Sequence, residues 1–189
     1  MTADDELNEA AAIARALERC GLEPVLIGGM ALVLLGSRRV TRDFDFVIRR
    51  PDDRLNALVD LFYDRGFELA SKVNDAGDIG ATIDNSRVAA IRLKLDAPAS
   101  AYFWNRTRRL RIDVLFDFPI AAAELAANAT QTKIRGRVIN VASAADLLRL
   151  KEIAAKKRSF AGDAQDIEFL KRHLKGTDPA TARTRKKPE

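Results

Sequence analysis

The sequence is poor in the residues that most often announce a chemistry. It holds one cysteine, Cys20, and one histidine, His173, in 189 residues. A single cysteine closes no internal disulfide, and beside Leu17 at the end of a helical pattern it reads as a small packed hydrophobe rather than a reactive thiol. His173 stands late in a basic helix end, where a surface residue facing the helix dipole is expected rather than a catalyst. No apolar run is long enough for a membrane span: the longest, VLIGGMALVLLG from Val25 to Gly36, is broken by two glycines. It reads as strand, turn and buried helix. No basic and then apolar leader opens the chain, since MTADDELNEAAA is acidic, and a cytoplasmic protein is expected.

What is present is an ordinary globular balance. Hydrophobic residues make up 47% and charged residues 31%, which argues against a disordered or fibrous chain. The length suits one domain with appendages. A net charge of +5 and a pI near 9.6 favour an anionic partner, modestly. Part of that charge lies between Gly176 and Glu189, where Pro179, Pro188 and RTRKK lack apolar periodicity and predict a disordered basic tail.

Leu7, Ala10, Ala14 and Leu17 recur at helical spacing before Gly21, predicting a helix from about Asp5 to Cys20. Pro24 opens a short strand that runs into Gly28 and Gly29, followed by a helix from about Met30 to Leu35. A strand from about Arg42 to Ile48 comes next, then an amphipathic helix from near Asp52 that Gly66 stops. FELAS, VAAIRLKL and RLRIDVLFDF read as strands. Ser143 and Asp146 form a capping box at the start of a helix carrying Lys151, and a last helix begins near Asp163. This order predicts an α/β or α+β core with a small helical C-terminal part.

The run RVTRDFDF, residues 39 to 46, sets the functional question. Side chains on a strand alternate, so Asp43 and Asp45 share one face while Phe44 and Phe46 share the other. Two carboxylates roughly 6.5–7 Å apart on a strand repel by about 2–3 kcal/mol at an effective dielectric near 20. A divalent cation of the Mg²⁺ or Mn²⁺ type, held together with substrate phosphates, compensates such a pair. Gly28 and Gly29, at the preceding strand-to-helix turn, let backbone N–H groups approach a phosphate, although chain geometry alone also favours glycine there. Asp113, inside RLRIDVLF, is the candidate for a third carboxylate, as metal ligand or general base, with Asp117 as its competitor.

The stretch IGGMALVLLGSRRVTRDFDF, residues 27 to 46, resembles the nucleotidyltransferase superfamily signature: a strand ending in two small residues, a helix, then Asp-x-Asp. DLLRLKEIAAKKRSFAGDAQDIEFL, residues 146 to 170, resembles the C-terminal motifs of abortive-infection (AbiEii-like) nucleotidyltransferase toxins. The resemblance implies a mixed sheet flanked by helices, with a nucleotidyltransferase core over residues 1–142, a helical part of the same domain over 143–175 and the basic tail over 176–189. It implies a metal-dependent enzyme that transfers a nucleoside monophosphate from a nucleoside triphosphate to an acceptor hydroxyl, within a toxin–antitoxin system. Asp43, Asp45 and Asp113 would then be the catalytic carboxylates and metal ligands, Lys151 would meet the triphosphate, and Gly28, Gly29, Arg39, Thr41 and Asp163 would bind the nucleotide. Partners would be a nucleoside triphosphate, an RNA such as tRNA as acceptor, and a cognate antitoxin protein.

Each assignment has a plainer counterpart. Lys151 between Leu150 and Ile153 fits a snorkelling surface lysine, and Asp163 with Asp166 fits a helix N-cap and its partner three residues on. Relatives often carry lysine just before the late aspartate, where this chain has Gly162. A catalytically silent nucleotide- or RNA-binding member, or a transferase acting on a protein or an antibiotic, is the alternative. AYFWNRTRRLR, residues 101 to 111, supplies aromatics and arginines suited to an RNA end, or a loop anchored by its aromatics before a basic strand edge.

Overall fold

A computed structural model describes residues 3–74, 77–134, 136–157 and 161–176. The first helix, α1 (Ala3–Arg19), buries Ala10, Ile13, Ala14 and Leu17, and the chain then reverses at Gly21, whose φ is 74°. The fully buried strand β1 (Val25–Ile27) leads straight into α2 (Gly28–Leu34), and β2 (Phe44–Ile48) returns beside β1. A short 3-10 turn and α3 (Leu55–Tyr63) connect β2 to the hairpin of β3 (Glu68–Val73) and β4 (Ile79–Ile83). After α4 (Ser86–Asp96) comes a second hairpin, β5 (Ser100–Asn105) and β6 (Leu110–Phe116). Then follow α5 (Ala122–Asn128), the pair β7 (Thr130–Ile134) and β8 (Arg137–Val141), and the helices α6 (Ala144–Lys157) and α7 (Ala161–Leu174).

The eight strands form one mixed sheet in the order β4-β3-β5-β6-β2-β1-β8-β7. β2 lies antiparallel to β1 and parallel to β6, so the motif strand is central and flanked on both sides. Its alternation is realised: Phe44, Phe46 and Ile48 are buried in the core, as are Ile112, Val114 and Phe116 of β6. Phe103 of β5 stacks on Phe62 of α3 at 3.8 Å between ring centroids. Burying side chains of this size contributes about 1.5–3 kcal/mol each, which fixes the register of β2 against β6. The carboxylates are thereby held on the opposite face.

The structure corrects three expectations. VAAIRLKL is not a strand but most of α4: the Asn85 side chain accepts a hydrogen bond from the Val88 amide and caps the helix start. Its apolar residues at 91, 93 and 95 imitate strand alternation, yet only Leu93 is buried, while Ile91 and Leu95 are 58% and 77% exposed. Residues 100–105 are a strand rather than a loop. Strand β2 begins at Phe44, so Asp43 stands just ahead of it and is exposed. The capping box at Ser143 is present: its Oγ accepts from the Asp146 amide and donates to the Asp146 carboxylate. Beyond Gly176, the expected basic tail lies outside the described residues. No helix among the described residues is long and apolar enough to cross a membrane.

Candidate active site

Parallel pairing sets Asp45 of β2 directly beside Asp113 of β6. Antiparallel pairing sets Tyr102 beside Asp113 and Trp104 beside Arg111, so all of these side chains stand on one face. Ile27 pairs with Asp45 on the other side, and the next residue is Gly28, with φ of 68°. A Cβ on Gly28 would lie 1.9 Å from Asp45 Oδ2, so only glycine lets the turn close over this carboxylate. Gly29 is covered in turn by Arg39 and Thr41, whose atoms would meet a Cβ at 3.0 and 3.1 Å. The two glycines therefore let the turn pack on the carboxylate and on the segment leading into β2.

Burial comes first among the causes that raise the Asp45 carboxyl from 3.8 to about 7; Asp113 and Asp43 add repulsion, while Arg111 and Lys151 oppose the rise. Asp113 is raised to about 6, again chiefly by burial, against the opposing pull of Arg111. Asp43, Asp45, Asp113 and Lys151 thus act on one another electrostatically. Asp117 does not join them: at a φ of 51° it accepts hydrogen bonds from the Arg50 and Ala122 amides and caps a loop.

Lys151 is not a surface lysine. Its side chain is 12% exposed, and Nζ lies 3.1 Å from Asp163 Oδ1 and 2.7 Å from Asp166 Oδ2. Asp166 also receives Nη1 of Arg39. Since α7 begins at Ala161, Asp163 and Asp166 lie within the helix rather than at its cap, and they tie α6, α7 and the segment before β2 together. Arg39 keeps a buried Nε without a hydrogen-bond partner.

Two contributors escaped sequence reasoning. Asp166 was legible only as a helix-cap residue. Arg111 was grouped with the exposed arginines of its loop, but it grips Asp113 with both arms of its guanidinium, Nε to Oδ1 at 2.6 Å and Nη2 to Oδ2 at 2.7 Å. Its Nη1 donates to the Gly77 carbonyl at 2.8 Å, and the guanidinium lies 4.6 Å from the Tyr102 ring centroid. A spacing of two on a strand was the available signal. Arg108 turns away to pair with Glu9 of α1, while Arg106 and Arg109 are exposed in the turn.

Among the described residues, no three carboxylate, imidazole or thiol groups converge closely enough to hold an ion. The donor set nevertheless fits a hard divalent cation: two carboxylates in register, both with pKa raised chiefly by burial, and a third two residues away. Among the described residues, two hollows can be compared with the site. One of about 310 Å³, lined by Ala12, Arg15, Arg19, Arg65 and Arg137, includes none of the carboxylates. Another, of about 290 Å³, includes Ser100 and Tyr102 and so adjoins the site through the Tyr102 ring.

A family model described as the nucleotidyl transferase AbiEii toxin of type IV toxin–antitoxin systems matches residues 11–187. No curated protein matches the chain in sequence. Among solved structures, the antibiotic-resistance factor ANT(2'')-Ia is similar with a TM-score of 0.58 at 14% identity, over 98% of this chain and 93% of that one. An antigenic nucleotidyltransferase-like protein from Paracoccidioides brasiliensis gives 0.57 at 20% identity, over 88% and 75%. The lincosamide antibiotic adenylyltransferase LnuA, bound to lincomycin, gives 0.55 at 16%, over 88% and 95%. At these identities the structural likeness establishes the nucleotidyltransferase-like fold.

Proposed function

The chain belongs to the AbiEii family of nucleotidyltransferase toxins, and from that premise we propose that it transfers a nucleoside monophosphate from a metal-bound nucleoside triphosphate to a hydroxyl of RNA. The observation that carries this reading is the register of Asp45 against Asp113 beneath the closed Gly28 turn, within reach of the Lys151 charge. Asp45 and Asp113, with Asp43 at the strand's mouth, would hold Mg²⁺ or Mn²⁺. A divalent cation bound there supplies neutralisation of the phosphoryl oxygens and of the leaving pyrophosphate.

The remaining work falls to side chains that the fold has already oriented. Lys151 and Arg39, both anchored on Asp166, bring two positive charges to the approach of the triphosphate. Asp163, buried against Lys151, positions that ammonium rather than touching the nucleotide. Asp113 faces the acceptor side, because the next strand on that side is β5 with Tyr102 and Trp104. Those aromatic rings suit stacking on an unpaired base, and the exposed Arg106 and Arg109 in the adjoining turn suit backbone phosphates. An antitoxin partner follows from the family premise.

The test is to incubate the protein with each labelled nucleoside triphosphate, Mg²⁺ and total cell RNA, total protein or small-molecule hydroxyl acceptors. Label is expected in RNA, released pyrophosphate should match it, and Asp45→Asn should abolish both. Label in protein or in a small molecule would displace RNA as acceptor, and no transfer from any triphosphate would favour a silent binding member.

A further inference from the structure

Arg111 is tied into the site more completely than a residue of a basic strand edge requires. All three of its guanidinium nitrogens have partners, two on Asp113 and one on the Gly77 carbonyl, and the plane lies on Tyr102. The ion pair is largely withdrawn from water, with 16% and 8% side-chain exposure. Its charge also reaches the other two aspartates: it lowers the carboxyl of Asp45 and is itself held by Asp43. The fork thereby takes up both oxygens of Asp113, the oxygens that a shared ion would need.

We propose that Arg111 competes with a divalent cation for Asp113, and that loading the site requires its fork to leave that carboxylate. Arg111 is then a positioning residue that sets the threshold for metal binding. It protects the carboxylate pair from its own repulsion until metal and triphosphate arrive together. The Gly77 carbonyl gives the guanidinium a place to remain once it has released the carboxylate. This inference rests on the metal-dependent reading above.

The test is direct titration with Mn²⁺, followed by electron paramagnetic resonance, of the full chain and of Arg111→Gln and Arg111→Lys. Losing a charge-assisted two-armed competitor should tighten Mn²⁺ binding about tenfold or more in Arg111→Gln. Arg111→Lys, which keeps the charge without the fork, should fall between Arg111→Gln and the parent. A purely architectural Arg111 would lower the melting temperature and leave Mn²⁺ affinity unchanged or weaker, and that result overturns the inference. Asp45→Asn separates the two levels: Mn²⁺ binding that it leaves unweakened does not use the Asp45–Asp113 pair and overturns the metal reading together with this one. Should the Arg111 variants fail to fold, the unmutated protein decides. Its Arg111 Nε–H resonance should move on saturation with Mg²⁺ and a non-hydrolysable triphosphate, and a resonance that stays in place rejects the proposal.

Discussion

Asp45 concentrates what single residues contribute here, because its neighbours on every side either repel its charge or exist to admit it. Its carboxyl is raised to about 7 from 3.8, so between those values the folded protein holds more protons than the unfolded chain. Stability of the metal-free protein should therefore decline as pH rises from 5 to 8. The loss is expected on the order of 1 kcal/mol or more, at about 2–4 °C in Tm for each kcal/mol. Asp45→Asn should flatten that slope while abolishing transfer, and Mg²⁺ should raise Tm at pH 8 more than at pH 5; thermal melts across the range check all of this. Gly28→Ala forces a Cβ to within 1.9 Å of Asp45 Oδ2 at a φ of 68°. It should cost about 1–3 kcal/mol and weaken Mg²⁺-dependent triphosphate binding, measured by calorimetry on the folded fraction. At this scale the sequence was informative: strand parity assigned Asp43 and Asp45 to one face, and the place of Asp117 at the strand's end before Pro119 favoured Asp113 over it. What it withheld was pairing: a shared strand face brings Arg111 near Asp113 but does not decide whether it turns back onto that carboxylate or out to a phosphate.

Helices and strands fared unevenly by the same logic. Those with a single clear periodicity, α1, β2, α3 and α6, were legible to within a residue or two at most of their ends. In α4 the period-two run at its C-terminal end outweighed the Asn85 cap, and β7 and β8, half exposed and polar, carry too little alternation to be seen. The α6–α7 pair shows why the role of Lys151 was ambiguous. Leu150 and Ile153 flank it as they would a surface lysine, and only the packing of α7 reveals that Asp163, 1% exposed, is waiting for its ammonium. Lys151→Ala should accordingly cost about 2–4 kcal/mol in urea unfolding, far beyond a surface substitution, because it removes the cation that two buried carboxylates share and leaves Asp166 with Arg39 alone. Asp163→Asn in the same background should return part of that loss. Kinetics on the folded double variant then report the direct contribution of the ammonium to triphosphate binding.

For the whole molecule, a pI near 9.6 pointed to an anionic partner without saying where it would lie. Within the β5–β6 hairpin and the lysine clamp the structure divides the basic residues: Arg111 and Lys151 are spent on internal carboxylates and Arg108 on Glu9, while Arg106 and Arg109 are exposed in the turn that follows Trp104. Reversing Arg106 and Arg109 to glutamate should weaken RNA binding and reduce its salt slope by about one for each phosphate no longer neutralised. Triphosphate binding should be unaltered, and filter binding over a range of KCl concentrations would test both. The parallel pairing of β2 with β6 has a bearing on synthesis as well. Gly28 and Asp45 emerge from the ribosome early, Asp113 arrives with the second hairpin, and Lys151 with Asp166 comes only with the last two helices. Pairings so distant in sequence close late, after the intervening elements have formed. A nascent or truncated chain ending before α6 carries the aspartates but not the lysine clamp, so the cell that makes this protein is expected to meet a competent site only once α6 and α7 have been synthesised.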